Sequence, residues 1–311
     1  MPVAVQLAVA SGLSAALYGL AVSVPPAATP LVLFVPLPGL FLATRAPASE
    51  CGLWFILSTG AVTVAFGAVA GAGFALPFGL PTLVLGAGIR RFLSLERVVL
   101  AGVATWCVGI VCVSLLAYGN AGAVVEATRA QLAHSVDLAL STYKSFGASE
   151  HIRILEGERD TLISGLLTIV PALVVLTGAV VTLANLMVLR RWVGPYRSVN
   201  LRLWRTPDGL IWGLIATGFG LFVPSPAVRL VAGNLLIVIL GCYFCQGLAI
   251  VSYYLERFHL PRGVRIAGYV LIAVQHVVAA MVLALGIFDL WGNFRRSSAG
   301  PADVQFHTDG E

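Results

Sequence analysis

The feature that most constrains this chain is a succession of apolar runs almost free of charge. They cover residues 3–24, 31–44, 52–69, 74–88, 98–118, 162–189, 209–222, 230–255 and 266–290. One helical crossing of a bilayer takes about 20 mainly apolar residues. Runs this long and this frequent do not fit inside one water-solvated core. The expected fold class is therefore all-α, a polytopic transmembrane helical bundle of eight or nine helices with one amphipathic extracytoplasmic segment. Composition agrees, since 59% of the 311 residues are apolar and 11% are charged, against about a quarter charged in soluble domains. That excludes an ordinary soluble enzyme, a nucleic-acid-binding domain and a disordered chain. Residues 1–296 read as a single transmembrane domain with 119–160 as its extracytoplasmic insert, and 297–311 as a disordered polar tail. Runs 31–44, 74–88 and 209–222 are short, each a tilted crossing, a broken helix or a re-entrant hairpin.

Charge then sets an orientation. The first six residues carry no basic side chain, so the first run reads as a retained helix and not a cleaved signal. With the N-terminus in the cytoplasm and every run crossing, 12 of the 19 basic residues and 4 acids fall inside, net +8, leaving −3 outside. This follows the bias of Arg and Lys toward cytoplasmic loops, so the chain reads as a multi-pass membrane protein with its N-terminus in the cytoplasm. One feature resists. Nine crossings put Arg295 and Arg296 outside, whereas eight return the C-terminus inside. The loops 90–97, 190–208 and 256–265 fall on the cytoplasmic side. In 190–208, five arginines interleave with Trp192, Tyr196 and Trp204, a mixture suited to an anionic headgroup layer.

Within 119–160, Val125, Leu132, Val136, Ala139, Tyr143 and Phe146 recur at helical spacing, opposite Glu126, Arg129, Gln131, His134 and Asp137. An amphipathic helix on the outer leaflet is expected, with a substrate lid as the alternative. His134 and His151 have no Cys or second His at a ligand spacing, so no metal site is expected.

No HExxH, GxSxG, Walker or dinucleotide motif is present, so neither enzymatic activity nor a cofactor is expected. The five cysteines suggest no disulfide framework, and Cys242–Cys245 reads as small packing residues on a helix. Asp289 is the one carboxylate inside an apolar run. Gln246, Gln275 and His276 stand about ten residues into their runs. At about 1.5 Å per residue this places them near the midplane. With Asp289 they are the candidate ligand-binding residues, and Gln246 is expected to meet Gln275 or His276 between neighbouring helices. Pro36, Pro38, Pro77 and Pro81 interrupt the runs 31–44 and 74–88. Proline removes a donor, and short interrupted runs are a pointer to a transporter site. Ala4, Ala8, Gly12 and Ala16 form a small-residue ridge, able to pack within the bundle or against a second membrane protein.

Several stretches carry a family resemblance. They are GLSAALYGLAV (12–22), LVLFVPLPGLFLATR (31–45), LPFGLPTLVLGAGIRR (76–91), IVPALVVLTGAVVTLANLMVLRRW (169–192) leading to LRLWRTPDGLIW, and NLLIVILGCYFCQGLAIVSYYLER (234–257) leading to GIFDLWGNFRR (286–296). Together they resemble the YybS-like bacterial integral membrane proteins, a family of unknown function. The N-terminal part of that family is in turn similar to the substrate-binding S components of energy-coupling-factor transporters. There a small-residue ridge on the first helix contacts a membrane coupling subunit, and Ala4, Ala8, Gly12 and Ala16 match that ridge. The resemblance implies a transporter-like protein that binds a small-molecule ligand and works with another membrane subunit. A non-transporting scaffold or assembly factor is the alternative. The lipid bilayer is a partner on either reading, and nucleic acid is not.

Overall fold

The computed structural model describes residues 3–24, 31–145, 156–190, 204–292 and 294. They are helical, with no strand among them. His151, Arg295, Arg296, most of 190–208 and the tail 297–311 lie outside the described residues. The chain forms two compact units, Met1–Val199 and Asn200–Glu311.

Among the described residues, six helices are long and apolar enough to cross a membrane, or up to seven if one bent pair counts as a span. This is fewer than the eight or nine expected. The runs 31–44 and 209–222 yield only the shorter helices Leu31–Ala43 and Leu210–Gly220. An 11-residue helix is about 16 Å long, roughly half a hydrocarbon core.

The first unit begins with α1 (Val3–Ser23). The segment Leu31–Ala43 follows, turning at Phe34–Pro36 and ending as α2 (Leu37–Ala43). Next come α3 (Ala48–Phe66), α4 (Ala68–Phe74) and α5 (Leu80–Arg90), the last two joined by a π turn at Ala75–Gly79. Gly67 ends α3 at φ 90°, a left-handed conformation that glycine adopts without steric cost. Then follow α6 (Leu95–Tyr118), α7 (Ala121–Ser145) and α8 (Arg159–Leu189). Ser94 caps α6 by accepting a bond from the Arg97 amide. Gly19, near the end of α1, packs on Phe66, the last residue of α3. These two helices lie side by side and so run in the same direction, and the chain returns between them through 31–43.

Small residues let these helices close up. A Cβ on Gly178 would stand 2.8 Å from Trp106 Cγ, and one on Gly102 2.8 Å from Leu85 Cδ2 and 3.0 Å from Thr182 Cγ2. Membrane helices gain little from the hydrophobic effect between themselves, so such close packing carries their association. Arg90 closes one end of the bundle, donating to the Ala43 carbonyl at 3.3 Å.

The amphipathic helix is present as α7, but its covered face is turned from the expected one. It packs on α6 and α8 through the four-spaced row Val124, Thr128, Leu132, Val136 and Leu140. Val125 and Tyr143 are exposed. Ion pairs tie α7 to the start of α8. Arg159 donates to both Asp137 oxygens, at 2.7 and 2.8 Å, and Lys144 pairs with Glu156. The Arg159 hydrogen bonds hold the Asp137 carboxyl below its usual value of 3.8.

The second unit comprises α9 (Leu210–Gly220), α10 (Pro226–Arg257), α11 (Arg262–Val274) and α12 (His276–Gly292). Gly220 packs on Ala232, Gly213 on Ile239, and Thr206 bonds Gln246. Each seven residues forward along 206–220 match seven back along α10, so this segment and α10 form an antiparallel hairpin. Between α11 and α12 the chain bends by 100° at Gln275.

Candidate functional site

The first unit builds its polar centre around the turn in 31–43. Pro36 and Pro38 have no N–H, so the helix closes shorter bonds there, Val35 to the Val32 carbonyl and Leu37 to that of Phe34. The Leu33 carbonyl thereby loses its ordinary partner, the Leu37 amide. Asn185 Nδ2, from α8, donates to it at 2.6 Å, and Ser14 Oγ, from α1, donates to the Val35 carbonyl at 3.2 Å. Both side chains are fully buried. The broken segment is thus held by protein, as the absence of water in a bilayer demands.

Pro77 and Pro81 behave differently. They do not break a helix, since 68–90 runs on as one candidate span. A π turn absorbs the missing donors, with the Leu80 amide reaching back to the Ala75 carbonyl. Its backbone lies against Gly109 of α6, where an added Cβ would stand 2.8 Å from the Pro77 nitrogen.

The π turn sets Phe74 and Phe78 into an aromatic arc. Trp54 meets Phe74 at 6.2 Å, Phe74 meets Tyr18 at 5.6 Å, Tyr18 meets Phe78 at 5.8 Å, and Phe78 meets Trp106 at 5.1 Å. Trp54 also lies under Gly39 of α2, an added Cβ there standing 2.6 Å from its Cε2. Both interrupted segments therefore contribute to one cluster, which also holds Val35 and Val181.

Several polar atoms of this region are buried and have no hydrogen-bond partner among the described residues. They are the indole nitrogens of Trp54 and Trp106, the hydroxyls of Ser11, Ser58 and Thr59, and Asn185 Oδ1. Ser11 lies on α1, and Trp54, Ser58 and Thr59 lie on α3, which packs against it. On α8, Gly178, which touches Trp106, is two turns from Asn185. Leaving such an atom unsatisfied costs about 1–3 kcal/mol. The two indole donors and the amide acceptor thus lie on α3, α6 and α8.

The second unit holds the candidates Gln246 and Asp289, both buried. Gln246 Nε2 donates to Asp289 Oδ2 at 3.0 Å, and Gln246 Oε1 accepts from the Thr206 amide at 3.0 Å and from its hydroxyl. Asp289 Oδ1 accepts from the Phe294 amide at 3.0 Å, and Arg205 stands 3.7 Å from Oδ2. This knot ties residues 205–206 and 294 to α10 and α12. The helices cross there backbone to backbone, because Gly247 faces the Val282 carbonyl and Gly286 that of Tyr243. Gln275 and His276 do not join Gln246. They sit exposed at the bend between α11 and α12, so equal depth in a straight helix is not realised. Cys242 and Cys245 are free thiols, and no metal-holding group occurs among the described residues.

The ridge faces outward. Ala4, Ala8, Gly12 and Ala16 are all exposed, and a Cβ on Gly12 would meet nothing within 4 Å. Inside the unit α1 buries Ala10, Ser11, Ser14, Gly19 and Ala21 instead.

Sequence reasoning missed Ser14, Trp54, Trp106, Asn185, Arg205 and Thr206. Asn185 is an uncharged polar residue inside 162–189 but four residues from its end, so the depth that singled out Gln246 does not mark it. Arg205 and Thr206 lie in a polar loop and carry no such signal. A family model with the description Predicted membrane protein (DUF2232) matches residues 12–290. No curated protein and no solved structure matches the chain.

Proposed function

The chain belongs to that family of membrane proteins, and from that premise we propose that it binds a small uncharged solute in its first unit. It would do so as a transporter-like component of the bacterial inner membrane, with its N-terminus in the cytoplasm. The observation that carries this reading is the set of buried, unpartnered polar atoms beside the broken segment 31–43. A ligand with an acceptor for an indole N–H and a donor for Asn185 Oδ1 would satisfy them, and its apolar body would suit the aromatic arc. None of these six polar atoms is ionisable, which favours a neutral molecule over an ion. The chain carries no nucleotide-binding motif, so active uptake would require a partner subunit. The outward ridge on α1 supports such a partner, since small residues let a second helix approach closely. The same ridge also supports the scaffold reading, in which the partner is bound and no solute is.

Native mass spectrometry of the protein released from mild detergent tests the proposal. One small molecule per chain is expected, and its loss in Asn185→Leu and Trp106→Phe. A partner membrane protein without any small molecule would favour the scaffold.

A further inference from the structure

We propose that Arg262–Gly292 is a re-entrant hairpin, entering and leaving the membrane at the same end of α10. Its composition and length admit either one broken crossing or a re-entrant loop, and the contacts of its two ends decide between them. The entering end is fixed by the chain. Arg262 follows the last residue of α10, Arg257, by five residues, and five extended residues reach at most about 18 Å. The leaving end is fixed by a hydrogen bond. Tyr254 Oη donates to the Phe294 carbonyl at 2.7 Å, while the Phe294 amide donates to Asp289 at 3.0 Å. Residue 294 therefore lies beside Tyr254, within the last turn of α10. The other end of α10, Pro226, is about 40 Å away at 1.5 Å per residue.

The contacts along α12 add a direction. Gly286 packs on Tyr243 and Gly247, and Gly247 on the Val282 carbonyl, which fixes where the two helices cross and not their sense. Asp289 bonds Gln246 and Phe294 bonds Tyr254, so eight residues past Gly286 the chain lies beside a residue seven past Gly247. An antiparallel crossing would carry these ends about 20 Å or more apart, beyond the span of a tyrosine side chain. So α12 runs with α10, not against it. The chain leaves the Arg257 end, enters through α11, turns by 100° at Gln275, and returns through α12. The glycine crossing and the Asp289 knot anchor the returning limb.

The inference concerns the second unit alone and does not rest on the solute reading.

Cysteine labelling tests it. In a chain with the five native cysteines replaced, Arg262→Cys, Ser297→Cys and Arg229→Cys are reacted with an impermeant maleimide in intact cells and in inverted vesicles. Positions 262 and 297 are expected to react from one side and 229 from the other. Reaction of 297 from the side of 229 would overturn the hairpin. Should the cysteine-free chain fail to accumulate, epitopes inserted after Leu260 and after Glu311 of the otherwise native chain give the same reading. Antibody access from one side supports the hairpin, and access from opposite sides refutes it.

Discussion

Gly286→Ala tests how the second unit is held. Its added Cβ would run into the Tyr243 carbonyl and stand 2.9 Å from both the Tyr243 carbonyl carbon and the Gly247 nitrogen. These are backbone atoms of α10, so no rotamer change relieves them, and α10 and α12 must part by about 1 Å. Overpacking of this kind costs about 1–3 kcal/mol. Parting by that distance also stretches the Gln246–Asp289 bond from 3.0 Å to about 4 Å, beyond a hydrogen bond. A bond to a charged group contributes about 1.5–3 kcal/mol. The expected loss is about 2–5 kcal/mol, the two contributions overlapping because one movement causes both. The assay is denaturant unfolding in detergent micelles, with near-ultraviolet circular dichroism as the signal. Gly268→Ala is the control, since nothing lies within 4 Å of its added Cβ and alanine favours a helix over glycine by about 1 kcal/mol. If Gly286→Ala unfolds within about 0.5 kcal/mol of the native chain, the range expected of a surface change, the backbone crossing is not what holds this unit.

Gly12→Leu should leave the thermal stability of the isolated protein unchanged, because its side chain meets open space. It should abolish any complex formed through α1, read by co-purification with the partner subunit. Ser14→Ala withdraws the donor from the Val35 carbonyl and should cost about 1–3 kcal/mol in the same unfolding assay. The tie between α7 and α8 should depend on pH. Asp137 has a folded value below 3.8, so its contribution is full above that value and disappears as pH falls through the lower folded value. Proteolysis of the α7–α8 connection should accelerate only at such strongly acid pH, and Asp137→Asn should show the faster rate at neutral pH.

The helices were legible because apolar runs free of charge have few places to go except a bilayer. Breaks were legible only where proline made them. Pro36 and Pro38 do turn the chain, while Pro77 and Pro81 are absorbed by a π turn, which leaves no mark in a pattern of apolar residues. The bend at Gln275 is bordered by Val274 and His276 with no glycine or proline beside it, so a straight helix was the natural reading, and the pairing of Gln246 with Gln275 or His276 failed with it. Gln246 and Asp289 come together through Gly247 and Gly286. The ridge on α1 shows the limit of spacing arguments. Small residues every fourth position say that a close partner is permitted, but not on which side it stands. Asn185 and the two tryptophans were hidden for another reason. Their significance lies in what their polar atoms fail to find, and that is visible only when the surrounding helices are in place.

Whether the first unit holds an uncharged solute is decided by a high-resolution cryo-electron microscopy map of the native protein in lipid nanodiscs. Compact density, larger than water, is expected touching Trp54 Nε1 or Trp106 Nε1 and Asn185 Oδ1. Density for water alone at these atoms, or side chains turned to bond one another, would contradict the proposal.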